Sequence, residues 1–265
     1  MGSLHEGHVK LIEKSSMKCD ETIVSIFVNP TQFTNKTDLA NYPQSIKKDI
    51  QTIKKINKNA IIYSPLVSDL YSSPVKAEVF DLDGIDKVIE GEFRKGHFQG
   101  VATVVKRLFK KFSPDYAFFG EKDYQQILVI KKLIKKHDFK VKIKSVLTVR
   151  EENGLAMSSR NFLLDKETRY DARIIYESLC MAKKMIKTKD ISKIKNLIGE
   201  LFLMSQKFDL EYFCIAENHS LKEVKSFNSK LKLRAFICVK AKGIRLIDNI
   251  ALFWRWGYLK IYLEK

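Results

Sequence analysis

The chain has few of the residues that cross-link or interrupt a fold: four cysteines, five prolines and eleven glycines among 265 residues. Cys19, Cys180, Cys214 and Cys238 are scattered, with no C-x-x-C pair. That spacing argues against a disulfide framework or a structural zinc site and suits reduced thiols in a cytoplasmic protein. No stretch approaches the ~18 uninterrupted apolar residues of a membrane span. Met1–His8 carries two histidines and a glutamate where a signal peptide would be basic and then apolar. Arginine is scarce as well, at 9 of the 48 basic residues, the other 39 being lysine. The net charge of +17 would attract phosphate backbones. The lysines fall in pairs such as Lys47–Lys48 and Lys135–Lys136, without interleaved aromatics. They read as solvated helix faces, and no nucleic-acid partner is expected.

Hydrophobic residues, at 45%, suffice for a substantial core. Thr22–Val28 is a β-branched run of the kind buried in parallel sheets. Around it, helical spacing marks Gly7–Lys18 and Ser45–Lys58, the latter with Ile46, Ile50, Ile53 and Ile56 on one stripe. Ala60–Tyr63, Tyr116–Phe119 and Lys140–Val149 read as strands, Gly100–Phe112 and Tyr124–His137 as helices. This alternation predicts an α/β fold, a Rossmann-like doubly wound parallel sheet. After Thr148 the pattern changes. Lys166–Lys187 and Ser192–Lys207 read as helices, and Leu210–Ala216, Leu233–Ala241 and Arg245–Asp248 as strands of a smaller α+β domain. The expected division is 1–148 and 149–265.

Five polar segments fall at predicted strand exits or helix entrances. His5-Glu6-Gly7-His8 opens a helix, whose free N–H groups and dipole attract phosphate, with both imidazoles on one face. A solvated pair or an incomplete metal site is the alternative. Gly120-Glu121-Lys122-Asp123-Tyr124-Gln125-Gln126 leaves a strand at its carboxyl end, where open α/β sheets bind ligands; taken by itself, it reads better as an exposed charged turn. Met157-Ser158-Ser159-Arg160 offers hydroxyl and guanidinium donors, or a polar turn with a cap. Asn29-Pro30-Thr31-Gln32 leaves the first strand, and Arg94-Lys95-Gly96-His97 precedes a helix. Five such segments in one chain are hard to ascribe to chance.

The strings MGSLHEGH, FVNPTQF, DLANYP, FRKGHFQGVATVV, PDYAFFGEKDYQQ, VREENGLAMSSRN and RLIDNI resemble the pantothenate synthetase (pantoate–β-alanine ligase) family of the HIGH-motif nucleotidyltransferase superfamily, from Met1 to about Asn249. The resemblance implies a ligase that condenses pantoate with β-alanine, forming AMP and pyrophosphate from ATP through a pantoyl-adenylate. It implies ATP binding by Met1, Gly2, Ser3, Leu4, His5, Glu6, Gly7 and His8, by Gly120, Glu121, Lys122 and Asp123, and by Val149, Met157, Ser158, Ser159 and Arg160. His8 is implied as proton donor, with His5, Lys122 and Arg160 as further catalytic groups. Gln32 would contact pantoate and β-alanine, and Gln126 pantoate; Asn29, Tyr42 and Arg94 are expected as further substrate-binding residues. Mg2+ would come bound to the ATP phosphates, with no protein metal cage. The AMSSRN segment looks like the superfamily's mobile loop, so the smaller domain is expected to act as a lid, and a homodimer is implied.

Lys95 and Gln44 depart from the family's usual proline and arginine, and the aromatic tail from Phe253 extends past its usual end. The family's first strand and Pro-Thr pair have no counterpart before Met1, so an upstream start codon, or a weakly stable product, is expected. Another HIGH-motif nucleotidyltransferase, or a truncated remnant of this enzyme, is the alternative reading.

Overall fold

Residues 2–187, 190–228 and 230–252 are described by the computed structural model. Met1 and the aromatic tail from Phe253 lie outside these residues. Helix α1 (Glu6–Ser16) leads into strand β1 (Ile23–Ser25), which returns through α2 (Lys36–Ala40) and α3 (Ile46–Ile56) to β2 (Ile61–Tyr63). β1 and β2 pair in parallel, Ile23 opposite Ile61. The strand is shorter than the apolar run suggests. The Ile26 N–H still bonds Tyr63 O at 2.8 Å, but the chain then breaks into the 3-10 turn Pro30–Gln32, whose proline has no N–H for a ladder.

The isoleucine stripe expected on α3 is not its buried face. Ile53 is fully buried, whereas Ile46 and Ile50 are 46% and 37% exposed. The inward position between them is Asp49, 2% exposed. Its carboxylate accepts the N–H groups of Ser3 and Leu4 at 2.9 and 2.8 Å. Two charge-assisted bonds offset burial of the carboxylate, and they turn the helix about its axis.

Next come α4 (Val67–Leu70), α5 (Glu90–Phe93) and α6 (His97–Phe112). β3 (Tyr116–Gly120) then crosses over through α7 (Tyr124–Lys136) to β4 (Lys142–Val146), again in parallel. Among the described residues the two parallel pairs share no strand hydrogen bonds; α1 packs between them, on β3 and α3. The helix expected over Lys166–Lys187 is two, α8 (Lys166–Asp171) and α9 (Arg173–Met185), meeting at Ala172. After α10 (Ile191–Ser205), strands β5 (Phe208–Glu217), β6 (Leu233–Ala241) and β7 (Ile244–Ala251) form an antiparallel sheet in that order.

α9 and α10 cover one face of this sheet, with Ile175, Leu179, Ile194, Ile198 and Ile237 at most 1% exposed. The sheet's Phe236 instead joins the cluster of α6 and α7, beside Val105, Leu128 and Leu133. The α/β part and the antiparallel sheet are therefore packed against each other through shared apolar side chains. That contact brings the sequence-distant polar segments together.

Candidate active site

His5 caps the N-terminus of α1, and backbone N–H groups fix the tautomers of both histidines. The Gly7 N–H donates to His5 Nδ1 at 3.1 Å, and the His5 N–H donates to His8 Nδ1 at 3.3 Å. With Nδ1 used as acceptor, each neutral ring carries its proton on Nε2. The rings lie 4.0 Å apart. Desolvation, and next the nearby Lys122, lower the His5 pKa from 6.5 to about 4. His8 is also held well below its ordinary value, by desolvation and then by His5. At neutral pH the pair therefore provides two N–H donors without charge. Gly7 has a local role: a Cβ there would stand 2.8 Å from the His5 ring.

Lys122 stands on the 3-10 turn Glu121–Asp123 that leaves β3, its ammonium 3.2 Å from Asp123 Oδ1. Glu121 turns away, its carboxylate accepting from the Ser145 hydroxyl at 3.1 Å. The turn is held from β7, where the Asn249 amide donates to the carbonyls of Glu121 and Lys122 at 3.0 and 2.8 Å.

The Met157–Arg160 segment enters from the opposite side. Ser158 Oγ caps the Ser159–Leu163 turn by accepting the Arg160 N–H at 3.3 Å. The Ser159 hydroxyl, 3% exposed, donates to Ser3 O at 2.9 Å. Arg160 Nη2 donates to Asp38 Oδ2 at 2.8 Å, and its guanidinium lies 5.3 Å from the Tyr42 ring centre. Upstream, Arg150 binds Asp248 of β7 at 2.5 and 3.1 Å. The segment expected as a mobile lid is thus tied both to the start of the chain and to the antiparallel sheet.

Gln32 is placed by His97, the first residue of α6, and by Arg94, which follows α5. His97 Nδ1 donates to Gln32 O at 2.7 Å and Arg94 Nη2 donates to the same oxygen at 3.3 Å. A carbonyl only accepts, so the His97 proton is on Nδ1 and its Nε2 accepts from Arg94 Nη1 at 3.2 Å. Burial, and next the Arg94 charge, push the His97 pKa down to about 3. Asn29, expected at the substrate, does not line the cleft. Its amide donates to Gly100 O at 3.1 Å and its Oδ1 accepts from the Tyr71 hydroxyl at 2.6 Å, so the side chain is spent on holding the turn.

These segments enclose a cleft of about 200 Å3. His5, Gly7, His8, Gln32, Tyr42, Arg94, Gly120, Lys122, Asp123, Gln126, Val149, Met157, Ser158, Ser159 and Arg160 line it. Gly2, Ser3, Leu4, Glu6, Glu121 and Asn29 do not. Gly2, Ser3 and Leu4 stand behind it, with the Ser3 and Leu4 N–H groups bound to Asp49, and Glu6 is exposed. Leu11, Phe33, His97 and Val146–Thr148 complete the wall, none of them among the expected site residues, although His97 closes the polar segment that begins at Arg94. For His97 a signal existed in its place beside Arg94; for the apolar residues none did.

A parallel α/β core whose strand exits and helix N-termini converge on one donor-lined cleft is the arrangement of a Rossmann-like nucleotidyltransferase fold. The model of the family described as pantoate-beta-alanine ligase matches residues 1–251, and the chain belongs to that family. The pantothenate synthetase of Christiangramia forsetii is 46% identical over 252 residues, spanning 95% of this chain and 89% of that protein. That of Flavobacterium psychrophilum is 44% identical over the same length and shares. The crystal structure of pantothenate synthetase from Thermus thermophilus superposes with a TM-score of 0.88 at 33% identity, covering 96% of this chain and 91% of that one. The pantoate-beta-alanine ligase of Francisella tularensis, solved with beta-gamma ATP and beta-alanine, has a TM-score of 0.75 at 32% identity over 95% and 87%. The resemblance read from the sequence strings is borne out.

Proposed function

We propose that this chain condenses pantoate with β-alanine at the expense of ATP, through a pantoyl-adenylate. The observation that carries this reading is the convergence of the His5 and His8 N–H donors, Lys122 and Arg160 on the same cleft as Gln32 and Gln126. In the first step a pantoate carboxylate oxygen bonds to the α-phosphorus as its bond to the bridging oxygen breaks, and pyrophosphate leaves. Negative charge moves onto phosphate oxygens. Lys122, Arg160 and the Nε2–H groups of His5 and His8 stabilise it from fixed positions. Phosphate beside the imidazoles raises their pKa values, so His8 can then act as a proton donor. In the second step the β-alanine amine bonds to the acyl carbon, AMP departs, and the amine loses a proton. Gln32 is read as the contact to both acids, with Gln126, Tyr42 and Arg94 toward pantoate. The ATP site is read as His5–His8, Gly120–Asp123, Val149 and Met157–Arg160, with Gly2, Ser3 and Leu4 supporting from behind.

No group of three metal-ligating side chains gathers among the described residues. Asp123 is the one carboxylate along the cleft among them. The reading, which rests on the resemblance, is that magnesium arrives on the ATP phosphates, which suits its reluctance to shed water for a protein cage. We read 1–148 as the domain that binds ATP and pantoate, and 149–265 as the smaller domain bearing the Met157–Arg160 loop. A homodimer and a cytoplasmic location, where ATP is supplied, complete the proposal. The test is AMP release with pantoate and β-alanine each omitted in turn. AMP must require pantoate, and rapid turnover must require both acids. Pantoate-independent AMP release equal to the full reaction refutes the reading.

A further inference from the structure

Two consecutive residues of β7 support the site from far along the chain. Asp248 and Asn249 are 3% and 4% exposed and sit in the middle of the β6–β7 ladder. The Asn249 amide nitrogen donates to two carbonyls of the turn that carries Lys122, Glu121 O at 3.0 Å and Lys122 O at 2.8 Å. Its oxygen accepts from Arg234 Nη1. Because a guanidinium only donates, this contact settles which end of the amide faces the turn. Arg234 is itself fixed, with its Nε donating to Asn218 Oδ1 at 3.0 Å and its guanidinium 3.7 Å from the Tyr124 ring centre. The adjoining Asp248 clamps Arg150 in a two-point ion pair, and Arg150 bridges in the backbone to Ala156, the residue before Met157. One strand thus grips the two loops that carry Lys122 and Arg160.

We propose that Asn249 is a positioning residue for the ligase reaction. By holding the Glu121 and Lys122 carbonyls, it sets where the Lys122 ammonium stands relative to Arg160, whose own loop is registered to the same strand through Asp248. This rests on the reading of Lys122 as a phosphate donor. Asn249 touches no substrate, and its effect passes through the Lys122 backbone.

Asn249→Asp preserves the shape and the acceptor for Arg234, but sets a carboxylate oxygen against two carbonyl oxygens. Pantoate-dependent exchange of pyrophosphate into ATP should fall about 10²-fold, the cost of a misplacement near 1 Å. In a Lys122→Ala background the same substitution should cost no more than about threefold, because the group it positions is gone and the two losses are not additive. Equal fold-losses in both backgrounds would mean a merely structural role and overturn the proposal. Arg234→Lys, which removes the fork that orients the amide, should show a milder loss with the same dependence on Lys122, and it serves if Asn249→Asp does not fold. Amide hydrogen exchange gives a readout independent of turnover. The amides of Lys122, Asp123 and Tyr124 should exchange faster in either variant while those of β6 keep their protection, and unchanged protection of the three overturns the proposal. If Lys122→Ala alone exchanges pyrophosphate at the wild-type rate, the reading of Lys122 fails instead, and the hydrogen-exchange result still decides whether Asn249 holds the turn.

Discussion

Arg160 reaches across the cleft to Asp38, with Nη2 at 2.8 Å from Oδ2 and Nε at 3.4 Å from Oδ1. The pair joins the Met157–Arg160 segment to α2 and is partly exposed, at 23% and 35% of its side chains. A carboxylate and a phosphate offer a guanidinium similar oxygens, so on the proposed reading of Arg160 as an ATP contact Asp38 is a competitor for it. Partly exposed pairs contribute about 0.2–1 kcal/mol, which caps the competition at roughly fivefold in affinity. Asp38→Asn is expected to tighten ATP binding within that limit, as read by isothermal titration. Unchanged or weaker binding would show that Asp38 is no competitor.

Lys122 supplies a compact positive charge at the carboxyl end of β3. Lys122→Ala is expected to slow pantoate-dependent pyrophosphate exchange by roughly 10²–10³, the usual loss for one preorganised donor to transition-state charge. Near-normal exchange in the variant would remove Lys122 from the chemistry.

Gln32 depends on a close backbone approach. At Gly100, in the first turns of α6, an added Cβ would lie 2.1 Å from Thr31 O and 2.6 Å from Gln32 N. Gly100→Ala must push the Pro30–Gln32 turn away, with a stability loss of about 1–3 kcal/mol for the overpacking. Pantoate KM should rise while ATP affinity changes little, since His5, His8 and Lys122 stand on other segments. Gln32→Ala should show the same asymmetry without the stability loss. Equal effects on ATP and pantoate in either variant would contradict the placement of Gln32 toward the acids.

The imidazoles make both stability and binding depend on pH. In the folded chain His97 is held near 3 and His5 near 4, below the ordinary 6.5, so between these values the unfolded chain binds more protons. Stability is therefore fully present above about 6.5 and declines as pH falls toward 4. Melting temperatures that stay level from pH 7 to 5 would contradict this. Polyphosphate beside His5 and His8 raises their affinity for protons, so ATP binding near pH 7 should take protons up. Titrations in two buffers of different ionisation enthalpy would then give different apparent heats, and identical heats would count against the contact.

The longer helices and the strands of the first half were legible from helical spacing and apolar runs, whereas the short helices α2, α4 and α5 were not. The polar segments that line the cleft were legible too, since the residue types of His5-Glu6-Gly7-His8, Gly120–Asp123 and Met157–Arg160 suit phosphate wherever they fall. The limits show at single positions. Periodicity put Ile46 and Ile50 inside α3, whereas Asp49 is the buried residue, because its partners are N–H groups at Ser3 and Leu4, more than forty residues away.

Gln125 and Gln126 are the same residue type side by side. Only the fold sends Gln125 to the carbonyls of Ile85 and Val88, at 2.8 and 2.7 Å, and Gln126 to the cleft. Asn29, chosen for its place after a strand, is consumed by Gly100 and Tyr71, while Asn249, in a string noted only for resemblance, holds the Lys122 turn. The sequence by itself determined the family, the α/β alternation and the chemical character of the cleft, all of which rest on local pattern and residue type. The partner of each polar side chain was decided by tertiary structure alone, because a hydrogen bond depends on distance and direction between groups that packing, rather than chain order, makes neighbours.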